Sequence, residues 1–285
     1  MTTIGPYTLS TVETGQFRLD GGAMFGVVPK ALWQRRITPD GRNRILLNMR
    51  CLLIEGEGRL ILIDAGVGDK YGTRFQDMFA IDHSNWTLSA SLRALGFDMS
   101  DVTDVIVTHL HFDHCGGCSV RRSGVLLPAF PNAMFHVQAE HLAAALKPNE
   151  REKASFLPRN IHTLVDSGQL NLLDGPQGLF PGIDVMVANG HTTAQQIVKI
   201  GGADRTLVYA ADLLPTTHHV RGPWVMSFDV RPLVTLEEKA RFLKTAAEEK
   251  WRIFFEHDAD TIVADIKLTE RGITAVCARP LNEAF

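Results

Sequence analysis

Cysteine is scarce in this chain, with 4 among 285 residues. That is too few to staple a protein of this size, and unpaired thiols suit a reducing compartment. No stretch approaches the roughly 18 uncharged apolar residues of a membrane-spanning helix. Met1 to Phe17 has neither the basic start nor the apolar centre of a secretory signal, so a cytoplasmic address and no membrane partner are expected. Charge of one sign is missing as well: 29 basic against 32 acidic side chains leave a net charge of -3. A nucleic-acid partner, which needs a basic footprint, is therefore not expected. With no internal repeat, low-complexity tract or linker between compositional regimes, residues 1–285 read as a single domain.

The chain is 45% hydrophobic and 21% charged, the proportions of an ordinary globular protein. Runs rich in Val and Ile predict strands at Ile45–Ile54, Arg59–Ile63, Val105–Thr108, Ala133–Val137, Ile183–Ala188, Gln196–Ile200, Thr206–Ala210, Arg252–Phe255 and Thr261–Ile266. The clearest helix is expected over Leu236–Lys250, with Thr235 and Glu238 spaced as a capping box and Phe242, Leu243, Ala246 and Ala247 on one face. Shorter helices are expected at Thr87–Leu95 and Glu140–Leu146. Strands grouped before each helix, with few regular alternations, point to a layered α/β fold with mostly antiparallel sheets.

The densest chemistry follows the predicted strand ending at Thr108. His109, His111, Asp113 and His114 fall within six residues and cannot all project one way from a strand, so a loop leaving the strand end must curl around something. Neutral imidazole and carboxylate suit Zn²⁺, Mn²⁺, Fe²⁺ or Co²⁺, and two adjacent ions are the natural candidate. Cys115-Gly116-Gly117-Cys118 comes next, formally a CxxC, but no second such pair stands in the sequence to complete a zinc site.

On these residues the chain resembles the metallo-β-lactamase superfamily, whose HxHxDH signature reads His109, His111, Asp113 and His114. The resemblance continues through Asp64 after Leu62-Ile63, His191 in Asn189-Gly190-His191-Thr192, Asp212 after Tyr209-Ala210-Ala211, and His257 in Phe254-Phe255-Glu256-His257-Asp258. It spans roughly residues 45 to 260. It implies an αββα sandwich of two mixed, mainly antiparallel sheets flanked by helices. It further implies two divalent metal ions, with zinc the default and iron, manganese or cobalt admitted. His109, His111 and His191 would hold the first ion, Asp113, His114 and His257 the second, and Asp212 would bridge them, with Asp64 behind, orienting a ligand loop. Water bridging such ions loses a proton near neutral pH. The implied reaction is hydroxide attack on an ester-like bond, with Asp113 and Asp212 as its catalytic carboxylates.

Within the superfamily, the branch of N-acyl homoserine lactonases and methyl-parathion-hydrolase-like enzymes is the most similar. The match rests on His109–His114, Leu19–Gly26 and Phe254–Asp258. It implies a small-molecule lactone or ester as substrate, hence quorum quenching, and allows a homodimer. Alternatives are phosphotriester or aryl ester hydrolysis in the same site, or a metal-binding protein without catalysis. Two positions depart from that branch: Pro215 stands where some lactonases carry a tyrosine, and Thr193-Ala194-Gln195 replaces the usual Pro-Gly-His. The segment Leu213–Val230 is expected to overhang the ions, with Trp224, Met226 and Phe228 as an apolar wall and His218 within reach of substrate. Segment 1–44 should contribute to the pocket or a dimer contact, adding Met24 and Phe25 to the wall.

Overall fold

A computed structural model describes residues 2–270 and 272–285 of the chain. Two seven-stranded sheets dominate it. The first contains β1 (Thr2–Ile4), β2 (Tyr7–Asp20), β3 (Arg44–Gly56), β4 (Arg59–Ile63) and β5 (Asp104–Ile106). A hairpin of β6 (Ser119–Arg122) and β7 (Val125–Pro128) stands outside both sheets, and the first sheet is completed by β8 (Met134–Gln138) and β9 (Leu170–Leu173). The second sheet holds β10 (Gln177–Phe180), β11 (Ile183–Ala188), β12 (Gln195–Gly201), β13 (Thr206–Tyr209), β14 (Arg252–Phe254), β15 (Val263–Thr269) and β16 (Gly272–Arg279), side by side in that order.

The apolar runs noted in the sequence serve two cores at once, because successive side chains leave a strand on opposite faces. Leu52, Ile54, Ile61, Ile63 and Ile106 point inward and meet Ile183, Val185, Val198, Ile200, Leu207 and Phe254 between the sheets. Their neighbours Leu53, Leu62 and Val105 point outward and pack against helices Leu88–Ala94, Ala139–Leu146 and Pro158–Ser167 through Leu92, Leu142 and Leu164. On the far side, Ile197, Val208 and Ile253 cover Phe242, Leu243 and Ala246 of helix Pro232–Glu248. The layers are helix, sheet, sheet, helix, as the resemblance implied.

The mainly antiparallel expectation holds for the second sheet, where β13 and β14 are the one parallel pair among the described strands. The first sheet is evenly divided: β1 to β4 pair antiparallel, and β4, β5, β8 and β9 pair parallel. This division matters for the site. Parallel neighbours end at the same edge, so the turns after β4 and β5 lie together, as do those after β13 and β14. Gln196 bolts the two edges across the sandwich: its backbone N–H donates to Thr108 O (2.8 Å) and its side-chain amide donates to Val107 O (2.7 Å).

The long helix corrects the capping reading. It begins at Pro232 with Arg231 as its N-cap, not at Leu236, because Pro at the first turn sacrifices only an N–H that has no helical partner. Thr235 is already inside the helix, and Glu238 turns to another task described below.

Candidate metal centre

Each expected donor sits just beyond a strand at the shared edge. His109, His111, Asp113 and His114 follow β5, the last two on the short helix Phe112–Cys115. His191 lies in the turn between β11 and β12, Asp212 in the turn after β13, and His257 after β14. All seven are buried, with exposures of 7% or less. They converge as two groups, His109, His111, His191 and Asp212 in one, Asp113, His114 and His257 in the other. Asp212 stands between the groups: Oδ2 is 3.1 Å from His191 Nε2 and 3.6 Å from His114 Nε2, and Oδ1 is 3.4 Å from His257 Nε2.

Hydrogen bonds on the outer ring nitrogens of His109, His191 and His257 turn the inner ones toward one another. Asp64 Oδ2 accepts the Thr108 hydroxyl (2.6 Å), so that hydroxyl in turn accepts from His109 Nδ1 (3.1 Å). His191 Nδ1 donates to Asp229 (3.0 Å) and His257 Nδ1 to Asn48 O (2.8 Å). His109 Nε2 and Asp212 Oδ1 are then buried with no hydrogen-bond partner, a costly state for polar atoms unless something else satisfies them. Burial and neighbouring imidazoles hold His109 and His111 well below the ordinary histidine pKa, in the neutral form that offers a lone pair. Burial opposes charge on His114 too, but Glu256, Asp113 and Asp212 outweigh it and favour a positive ring. At Asp212, burial is overcome by His191, His114 and His257, which keep the carboxyl ionised. A buried place that keeps lone pairs and carboxylates bare and attracts positive charge fits divalent metal ions.

The ligand loops are fixed from behind. Asp64, at φ +58, accepts from Thr108 N–H (2.7 Å) and the Thr108 hydroxyl and faces His114 Nδ1 (3.1 Å). Gly116 and Gly117 let this turn close: a Cβ on them would stand 2.2 Å from Val67 O and 2.0 Å from Ala65 O. Sequence reasoning missed several supports. Glu256 approaches the same His114 Nδ1 as Asp64 (3.1 Å), and Arg50 on β3 donates to Phe255 O and Asp258 O (2.9 Å each), clamping the His257 turn. His141 joins two ligand loops, accepting from Leu110 N–H (2.7 Å) and donating to Thr193 O (2.6 Å). Glu238 accepts from Asn189 N–H (2.8 Å) and Gly190 N–H (2.9 Å), so the residue read as a cap instead holds the His191 turn.

A cavity of about 580 Å³ opens over the donors, with Met24, Phe79, Phe112, Met226 and Phe228 among its lining and His111, Asp113, His191, Asp212 and His257 on its floor. Of the expected wall residues, Met24, Met226 and Phe228 line it, whereas Phe25, Trp224 and His218 do not. Phe25 is fully buried, stacked on Trp33 and the His219 ring and edge-on to Trp224, so these rings support the wall from behind. His218 packs near Phe25 (6.4 Å between centroids). A second cavity, of about 510 Å³, lies behind the ligand loop at Gly68 and Gly117 and contains none of the seven donors.

Face-to-face sheets flanked by helices, with this donor set at their edge, define a metal-dependent hydrolase. The chain belongs to the metallo-beta-lactamase superfamily, whose profile matches residues 50–264. It is 26% identical over 229 residues to the N-acyl homoserine lactonase AiiA of Bacillus thuringiensis subsp. kurstaki, covering 75% of this chain and 84% of that one. Among solved structures it is similar to a probable metal-dependent hydrolase from Staphylococcus aureus, with 28% identity, TM-score 0.89 and coverage of 98% and 99%. The dizinc quorum-quenching lactonase AidC, in complex with a product, shares the fold at 22% identity and TM-score 0.79, over 98% and 97% of the two chains.

Proposed function

We propose that this protein is a dinuclear zinc hydrolase that opens lactones, with N-acyl homoserine lactones as the substrate class, acting in the cytoplasm as one domain. The observation that carries the reading is the convergence of seven buried donors in two groups, five of them on the floor of one cavity with apolar side chains on its wall. Similarity to AiiA points to the lactone, and four cysteines without a disulfide among them suit the address.

In this reading His109, His111 and His191 hold one ion, Asp113, His114 and His257 the other, and Asp212 serves both. Ions so held supply Lewis acidity and lower the pKa of bound water toward neutrality. The chain's own residues do the rest. Met24, Met226 and Phe228 give the acyl chain an apolar surface and exclude water from it. Asp113, a carboxylate on the cavity floor, carries a proton to the oxygen that leaves. Segment 1–44 furnishes one side of the cavity through Leu19, Ala23 and Met24.

The test is proton release by zinc-replete protein with N-acyl homoserine lactones of increasing chain length, with an aryl phosphotriester alongside. Lactone opening that strengthens with chain length supports the reading. Phosphotriester turnover exceeding lactone opening would replace it, and inactivity on both by metal-loaded protein would sink it.

A further inference from the structure

The turn Met226–Asp229 carries two of the side chains that line the cavity, Met226 and Phe228. It is closed by Asp229 N–H donating to Met226 O (3.3 Å), and Asp229 itself is 1% exposed. Its carboxylate has two acceptor atoms facing two different structures. Oδ1 accepts from His191 Nδ1 (3.0 Å), and Oδ2 accepts from the Met226 backbone N–H (3.1 Å). The chain then runs back along the His191 turn, with Val230 N–H on His191 O (3.1 Å) and Arg231 N–H on Gly190 O (2.9 Å). From the outside, Ser227 N–H is held by Ala23 O (2.8 Å), and the Arg151 guanidinium donates to Ser227 O and Asp229 O.

We propose that Asp229 is a positioning residue that sets the His191 imidazole and the apolar wall together, so that chain binding and the first ion site share one support. The proposal rests on the reading of His191 as a metal ligand. The chemistry favours a carboxylate here, because both partners are donors. A carboxylate presents two acceptors, whereas an asparagine presents one acceptor and one NH2 donor. Asp229→Asn therefore must lose one of the two bonds or set donor against donor in a buried place. A metal-ligating histidine with its outer nitrogen unsupported typically loses about 10- to 100-fold in metal affinity. Loss on the other side frees the Met226 amide and blurs the wall.

Two readouts need no substrate, so their failure is distinct from failure of the lactone assignment. Chelator competition with Zn²⁺ should show one of the two sites weakened by about 10-fold or more in Asp229→Asn, with the other little changed. Hydrogen exchange should show the Met226 and Val230 amides gaining protection when Zn²⁺ is added to the wild type, and losing that response in the variant. With lactones, the dependence of kcat/KM on chain length should flatten in Asp229→Asn. A folded variant with wild-type zinc affinity and unchanged amide protection would overturn the proposal. Should the variant not fold, absence of zinc-dependent protection at Met226 in the wild type would overturn it alone.

Discussion

Asp212 Oδ2 lies 3.1 Å from a donor of one ion group and 3.6 Å from a donor of the other, so its removal should be felt by both. Asp212→Asn is expected to lower zinc content and turnover together, checked by metal analysis beside proton release. Retained content and full activity would remove it from the bridging position. Asp64 is held to a different standard, since it touches the donors only from behind. Asp64→Ala would strand the Thr108 N–H and hydroxyl and remove one of the two acceptors facing His114, at a cost of about 3 kcal/mol in stability by urea unfolding. Cys118 makes a contrasting case: buried at 0% exposure, its thiol pushed well up by burial, it offers no nucleophile. Cys118→Ser should leave activity nearly unchanged, and a large loss would show that the thiol matters. At this scale the sequence was most readable where function is local. The donors announce themselves because residue type, spacing and strand ends coincide. Asp229, Glu256, Arg50 and His141 did not, because each gains its role from a partner 31 or more residues away and, for Arg50, across 205 residues.

The helix Pro232–Glu248 shows how an element can be found and its first turn misplaced. Its apolar face of Phe242, Leu243 and Ala246 is written in a helical period, whereas its start depends on Pro232 and on where the preceding turn delivers the chain. Thr235 and Glu238 have the spacing of a capping box, yet Glu238 is drawn off by two N–H groups of the His191 turn. Glu238→Ala should therefore cost about 2 kcal/mol, and unlike the loss of a helix cap it should loosen the amides of Asn189 and Gly190 in hydrogen exchange. Loss of protection confined to the helix terminus would contradict this assignment. β2 and helix Pro158–Ser167 were not anticipated at all. The 14 residues of β2 mix polar and apolar side chains because it is buried unevenly along its length, and the helix opens at a proline in an otherwise unremarkable polar stretch.

Across the whole molecule, the sandwich works by bringing strand ends together. Parallel pairs β4 with β5 and β13 with β14 place the Asp64, His109, Asp212 and His257 turns at one edge, and the sequence carried the layered class without the order of its strands. Tying these loops to buried neutral histidines gives the fold an acid-sensitive support. Burial lowers His141 to about 4 and His219 to about 3, and His141 accepts from the Leu110 N–H, a bond that needs the neutral ring. The unfolded chain takes up these protons near pH 6.5, the folded protein only near pH 4 or below. Stability should thus be full above pH 6.5 and fall as pH drops from there toward 4, by on the order of 3 kcal/mol for His141. The slope of stability against pH in that window should shrink in His141→Gln, and an equal slope would exclude this source.

The most direct test of the account is the number of divalent ions bound per chain after loading with zinc and removal of excess. Seven buried donors in two groups predict two ions per folded chain, with fewer in Asp212→Asn. A folded wild-type chain that retains one ion, or none, would contradict the dinuclear centre on which the proposed chemistry depends.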